Sequence, residues 1–186
     1  VTGPAEQDTW DTPGRVIAYF AADVPETAAG AIALVAALLA DGKPDLAETE
    51  AMRAWSELAF TESEEAALLA LAPEAVKRVH QLRLDTLLWE GRFAEAARML
   101  PRVGEDWQKL AIARMALREG KAGVTEKIAA VPEALRGHPG LAHDRFVWRM
   151  RKDLYDEATE LLLSTPGDAL GRPEAWAGES KHQTRE

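Results

Sequence analysis

Phe93-Ala94-Glu95-Ala96-Ala97-Arg98-Met99-Leu100-Pro101 sets Phe93, Ala96, Ala97 and Leu100 at i, i+3, i+4 and i+7 and then stops on a proline. That spacing is one apolar face of an α-helix, and the proline is a terminator. The pattern returns along the chain. Phe93, Val124 and Tyr155 are spaced by 31 residues, as are Leu100, Val131 and Leu162, and Leu84, Met115 and Phe146; Pro101 and Pro132 keep the same interval. Each repeat reads as two antiparallel helices joined by a tight turn. One such hairpin cannot bury both faces, so neighbours must stack. The fold expected is all-α, an irregular superhelix of antiparallel helical hairpins. Its period is near that of tetratricopeptide repeats, without that family's clean small-residue pattern.

Outward from this centre the chain stays helical. Ala is frequent, and Gly and Pro fall between apolar-periodic segments. Helices are expected over about 26–41, from Pro44 to about Phe60, after a Thr61 cap whose capping-box partner is Glu64, and in one long piece from Pro73 to Gly91. That long helix would bury Val76, His80, Leu84, Leu87 and Leu88. Further helices are expected over about 105–119, 124–131, 139–152 and 154–164. Residues 1–14, with Gly3, Pro4, Pro13 and Gly14, read as a flexible lead-in; 15–176 read as the helical-hairpin superhelical domain and 177–186 as a polar tail.

Composition narrows the function. The chain has 186 residues, enough for one domain or one segment of a larger assembly, with 47% hydrophobic and 28% charged residues. Twenty-two basic residues against 31 acidic ones give a net charge of −9, which disfavours nucleic acid and anionic lipid as partners. No Cys is present, which excludes disulfides, thiolate metal sites and a Cys nucleophile. The uncharged run Ala28–Ala40 is shorter than the roughly 20 residues of a membrane span, and Asp23 and Glu26 stand where a leader would be basic, so it reads as a buried helix. Val1 is not an initiator Met, so a mature form or a segment is expected.

Three blocks carry a resemblance: Arg83-Leu84-Asp85-Thr86-Leu87-Leu88-Trp89-Glu90-Gly91-Arg92, Gly140-Leu141-Ala142-His143-Asp144-Arg145-Phe146 and Arg172-Pro173-Glu174-Ala175-Trp176. Together with Trp55, Phe60-Thr61 and the acidic helix after them, these are similar to the soluble lytic murein transglycosylases of bacteria, over roughly residues 53 to 177. The resemblance implies the superhelical, ring-forming region of paired helices that precedes the catalytic domain. It also implies a periplasmic protein that cleaves peptidoglycan glycan strands to 1,6-anhydro ends, with one Glu acting as acid and then base. Two departures stand out. After Trp176 the family has a second aromatic and basic residues, where this chain has Ala177-Gly178-Glu179-Ser180, and the catalytic domain does not follow. Glu179-Ser180 matches the family's catalytic pair in type, but only six residues remain after it, so Glu179 reads as a solvated tail charge. The expectation is a non-catalytic scaffold with no catalytic, cofactor-binding or metal-binding residue and no cofactor. Its partners would be peptidoglycan or the absent catalytic domain, with self-association possible and neither nucleic acid nor membrane insertion involved. The alternative is a stand-alone helical-repeat adaptor that binds a protein.

Single residues fit this reading. Trp89, Trp107 and Trp148 stand among apolar neighbours and read as core, whereas Trp10 and Trp176 lie outside strong helices and read as the more exposed of the six, with packing still the favoured reading for both. His80 reads as a satisfied core histidine. His138 and His143 flank a helix start without metal-ligand spacing. Arg83 and Asp85 read as a salt bridge or a cap at a hairpin junction. Glu62, Glu64, Glu65, Glu105 and Asp106 read as carboxylates at the positive ends of helices. The end of the last repeat, Leu161-Leu162-Leu163, is expected to lack a good cover.

Overall fold

The computed structural model describes residues 12–180, with side chains up to residue 177. Among the described residues the protein is all-helical, with no strand. Twelve α-helices follow one another: α1 Thr12–Tyr19, α2 Ala28–Ala40, α3 Pro44–Glu57, α4 Glu62–Leu71, α5 Pro73–Lys77, α6 His80–Trp89, α7 Phe93–Met99, α8 Glu105–Glu119, α9 Val124–Ala129, α10 Pro139–Arg151, α11 Tyr155–Ser164 and α12 Pro173–Ser180. Single 3-10 turns lie at Leu100–Arg102, Glu133–Leu135 and Gly167–Ala169. The chain divides into two compact units, Val1–Thr86 and Leu87–Glu186, with the division inside α6.

The helices have readable causes. Thr61 caps α4: its hydroxyl accepts from the Glu64 amide, and the Glu64 carboxylate accepts from the Thr61 amide, the reciprocal capping box that the sequence suggests. Pro44, Pro73 and Pro139 sit in the first turns of α3, α5 and α10, where the missing N–H costs nothing. Four helices end alike. Gly42, Gly91, Gly120 and Asp153 take left-handed backbone angles, φ 71°, 71°, 66° and 57°. The next amide then donates to the carbonyl five residues back: Lys43 to Leu38, Arg92 to Leu87, Lys121 to Ala116 and Leu154 to Arg149, at 2.8–3.0 Å. This is the Schellman closure, and it turns the chain sharply from α2 into α3, α6 into α7, α8 toward α9 and α10 into α11.

In the first unit α2 packs on α1, α3 and α4, and α5 packs on α3 and α4. Ala31, Val35, Ala47, Ala51, Ala54, Trp55, Leu68 and Val76 are fully buried there. In the second unit α8 packs on α9 and α10, around Leu110, Ala113, Leu117, Val131 and Leu141, and α10 packs on α11. A second cluster joins Phe146, Val147 and Ala158 to Trp176, with Leu161, Leu162 and Leu170 partly buried at its margin.

Several sequence expectations change. The long helix over 73–91 is two helices: the last amides of the first, Arg78 and Val79, tighten to bonds three residues back, and α6 restarts at His80. Of the lead-in 1–14, residues 12–14 belong to α1 and residues 1–11 lie outside the described residues; of the tail 177–186, residues 177–180 belong to α12 and 181–186 lie outside. On α7 the buried positions are Ala96 and Met99, while Ala97 is exposed and Phe93 half-buried. Tyr155 is 46% exposed, so it is not the buried counterpart of Phe93. Trp176 is packed, as the favoured reading has it: 3% exposed, with its indole Nε1 donating to the Leu170 carbonyl at 3.1 Å, it covers the end of the last hairpin. Leu163 alone of the three leucines stays open, 81% exposed.

Candidate functional site

Side-chain chemistry concentrates in two buried centres, one in each unit, built around an arginine. In the second unit Arg114 of α8 and Asp144 of α10 are both completely buried, and Arg114 Nε donates to Asp144 Oδ2 at 2.7 Å. Arg118, one turn further along α8, donates from Nη1 to Asp144 Oδ1 at 3.1 Å. Asp144 therefore meets two guanidiniums. Aromatic rings complete the walls. The guanidiniums of Arg114 and Arg172 lie 5.2 Å and 5.5 Å from the Trp89 ring, and that of Arg118 lies 5.8 Å from Phe93. His143 is held between Trp89 and Trp176, with ring centroids 5.2 Å and 5.3 Å away. Its Nδ1 lies 3.4 Å from Asp144 Oδ1.

Two glycines make this centre possible. A Cβ on Gly140 would overlap the Arg114 guanidinium, so only glycine lets α10 approach α8 here. A Cβ on Gly171 would fall 2.6 Å from Pro139 Cβ and 3.2 Å from Trp89 Cζ2. The electrostatics follow. Burial alone would raise the Asp144 pKa, but the hydrogen bond with His143 and the charges of Arg114 and Arg118 hold it below the ordinary carboxylate value.

In the first unit Arg83 of α6 is 1% exposed. Its Nη2 donates to Glu65 Oε1 at 3.0 Å, and its Nη1 donates to the carbonyls of Trp55 at 2.8 Å and Leu58 at 3.2 Å. Those carbonyls belong to the last turn and the cap of α3, where intrahelical donors have run out. The guanidinium sits 4.4 Å from the Trp55 ring and 5.0 Å from Phe60. Arg83 is thus both salt bridge and cap, as its sequence position suggests, with Glu65 as the carboxylate. Glu65 itself is read differently from the sequence, as a helix-start charge: it turns inward while Glu62 stays exposed.

The other singled-out residues take structural places. His80 Nδ1 accepts from the Trp55 indole at 3.1 Å, and His138 Nδ1 accepts from the Gly140 amide at 3.0 Å as the cap of α10. Trp89, Trp107 and Trp148 are half-buried. Glu179 lies on α12, beyond the described side chains, and His182 and Trp10 lie outside the described residues. Among the described residues no group of three or more His, Asp and Glu could hold a metal ion. The open surface of the second unit carries an apolar groove of about 530 Å³ between α7 and α8, lined by Phe93, Ala97, Ile112 and Met115, with Glu119 paired to Lys121 at one end.

The two arginine centres have no short-range sequence signal. Arg83 pairs over 18 residues and Arg114 over 30. One clue exists: Arg83, Arg114 and Arg145 stand 31 residues apart, directly before the repeat positions Leu84, Met115 and Phe146. Compared with known protein families, curated proteins and solved structures, the chain matches none.

Proposed function

We propose that this chain is the non-catalytic helical scaffold region of a soluble lytic peptidoglycan transglycosylase of the periplasm. Its helical hairpins would stack into a superhelix shaping a ring that presents glycan, or the catalytic domain, for strand cleavage. The observation that carries this is where the distinctive side chains of the similar blocks go. In the second unit Trp89, Gly140, His143, Asp144, Arg172 and Trp176 come from all three blocks and meet in one packed centre. In the first unit Arg83 ties the end of α3 to α4. Residues spent on fixing one helix against another suit a scaffold. The four Schellman turns add to this, because the same local closure recurs at the ends of α2, α6, α8 and α10, as a regular array of hairpins would need.

The test has two arms. Purified sacculi incubated with this chain are expected to release no 1,6-anhydro muropeptides above a buffer control, read by mass spectrometry; their release would make the chain itself the enzyme. The reading frame that encodes the chain is expected to encode a transglycosylase catalytic domain in the same polypeptide, and a frame without one overturns the scaffold reading. The second reading, a stand-alone adaptor, is favoured by the exposed apolar groove between α7 and α8, whose Ile112 is 40% exposed.

A further inference from the structure

The charge of this protein is unevenly placed. Residues 107–152 hold ten Lys and Arg against four Asp and Glu, and this basic stretch is closed at both ends by acids, Glu105 and Asp106 before it and Asp153, Asp156 and Glu157 after it. α10 gathers part of this excess on one stripe. Arg145, Trp148, Arg149 and Lys152 follow one another at i, i+3, i+4 and i+7 over the end of α10 and its cap, and so share a face. Trp148 is half-buried and Lys152 exposed, and both line an open pocket of about 380 Å³. The opposite wall is the Gly120–Gly123 loop with Lys121 and Glu126.

The cations of this stripe lack carboxylate partners: among the described residues none pairs with Arg145, Arg149 or Lys152, although Asp and Glu partners are found for Arg53, Arg78, Arg83, Arg92, Arg114 and Arg118. Arg149 donates from Nη1 only to the Glu157 carbonyl, at 2.8 Å. Arg145 is half-buried, and burial together with the charge of Arg149 lowers its guanidinium pKa from the ordinary value. A partly desolvated cation beside a like charge favours an added anion.

We infer that the Arg145–Trp148–Arg149–Lys152 stripe, with the adjoining pocket, is a docking site for an acidic polypeptide segment. Its carboxylates pair with the two arginines and Lys152, and an apolar side chain between them rests on the Trp148 ring. Charge complementarity selects this occupant. A long polyanion such as nucleic acid would run onto the acidic remainder of the chain, beginning with Glu126, Asp153 and Asp156 on the stripe's own border, whereas a short acidic segment ends within the basic patch. The inference does not depend on the transglycosylase reading.

The experiment uses the full 186-residue chain and a short fluorescein-labelled Glu-Leu-Glu-Glu peptide, whose three carboxylates match the three cations, read by fluorescence anisotropy. Saturable binding is expected, weakening several-fold on raising salt from about 50 to 200 mM as exposed ion pairs are screened. The triple variant Arg145→Gln/Arg149→Gln/Lys152→Gln should weaken it at least tenfold while the chain still unfolds cooperatively, and Trp148→Phe a few-fold, with some loss of melting temperature because Trp148 also packs against the core. Lys109→Gln, in the exposed pair with Glu105, should leave it unaltered. No saturable binding, or an affinity unmoved by the triple variant while the fold is retained, overturns the inference. So does tighter, stripe-dependent binding of a single-stranded oligonucleotide of equal charge, which would assign the stripe to nucleic acid.

Discussion

The two units bury an arginine in an aromatic cage by different electrostatic means. Arg83 in the first unit meets the Glu65 carboxylate and two backbone carbonyls, an arrangement that also closes α3. Arg114 in the second unit shares its carboxylate with Arg118, so Asp144 stands against two positive charges. The first arrangement is mainly a cap and depends on backbone carbonyls that never titrate. The second is mainly an ion cluster and depends on one carboxylate staying charged. Burying charge is costly, and both units offset that cost with geometry. The same repeat position therefore answers differently to substitution and to acid.

The largest effect is expected where one group serves two others. Asp144→Ala removes the carboxylate between two guanidiniums, one of them completely buried, and should cost about 3–5 kcal/mol in a urea titration. In the first unit Arg83→Met should be comparably harmful. The instructive variant there is the double, Arg83→Met with Glu65→Leu. If the ion pair were all that mattered, the double would return close to the parent. Because the Trp55 and Leu58 carbonyls also lose their donor, it should remain about 1–3 kcal/mol below it. Full recovery would show that the cap contributes nothing and would break the contrast between the units.

Acid should separate them next. Asp144 has a folded pKa below its unfolded value, so its contribution is complete above the ordinary carboxylate range, about pH 4, and is lost as pH falls through the folded value. Urea midpoints of the parent chain should drop more steeply below about pH 4 than those of Asp144→Asn, which has no proton to gain there. Parallel profiles would mean that other carboxylates control acid sensitivity. Gly140→Ala tests the same centre without touching a charge. The added methyl must displace a buried, bonded guanidinium, and a cost of about 1–3 kcal/mol is expected, as for other overpacked cores. A neutral result would mean that Arg114 can move, and that the cluster is looser than its distances suggest.

What the sequence makes legible is what local physics decides. The Thr61–Glu64 box, the prolines opening α3, α5 and α10, and the span of α8 follow from neighbouring residues alone. Leu84 and Phe146 are buried where the 31-residue spacing places them. The misreadings share one cause, that burial of a given side chain depends on what lies across from it. Tyr155 and Phe93 share a register, yet Tyr155 turns its hydroxyl to Asp153 at 2.7 Å and stays half in water. Trp176, in a weak helix, is packed as the favoured reading has it, because Phe146 and His143 offer it faces 5.2 Å and 5.3 Å away. Glu65 reads as one of three helix-start carboxylates until Arg83 supplies the reason for it to turn inward. The break between α5 and α6 has no glycine or proline to announce it. Pairings over 18 and 30 residues leave no periodic trace, and only the 31-residue recurrence of Arg83, Arg114 and Arg145 hints at them.

The smallest effect concerns the turns, where the second unit departs from its own pattern. Gly91 and Asp153 occupy the same Schellman position with the same left-handed backbone, φ 71° and 57°, but only glycine holds it without crowding a Cβ. At Gly91 an added Cβ meets only Arg118 Nη2, at an ordinary 3.4 Å, so the cost of Gly91→Ala is that of the backbone, about 1 kcal/mol. Asp153→Gly runs the other way. It relieves the left-handed strain, loses an exposed bond to the Tyr155 hydroxyl, and makes the unfolded chain more flexible by about 0.4–1 kcal/mol. These terms nearly cancel, and urea titration should place Asp153→Gly within about 0.5 kcal/mol of the parent. Should Asp153→Gly instead cost as much as Gly91→Ala, the Asp153 side chain rather than the backbone would be closing the α10–α11 hairpin. The four turns would then no longer be equivalent devices.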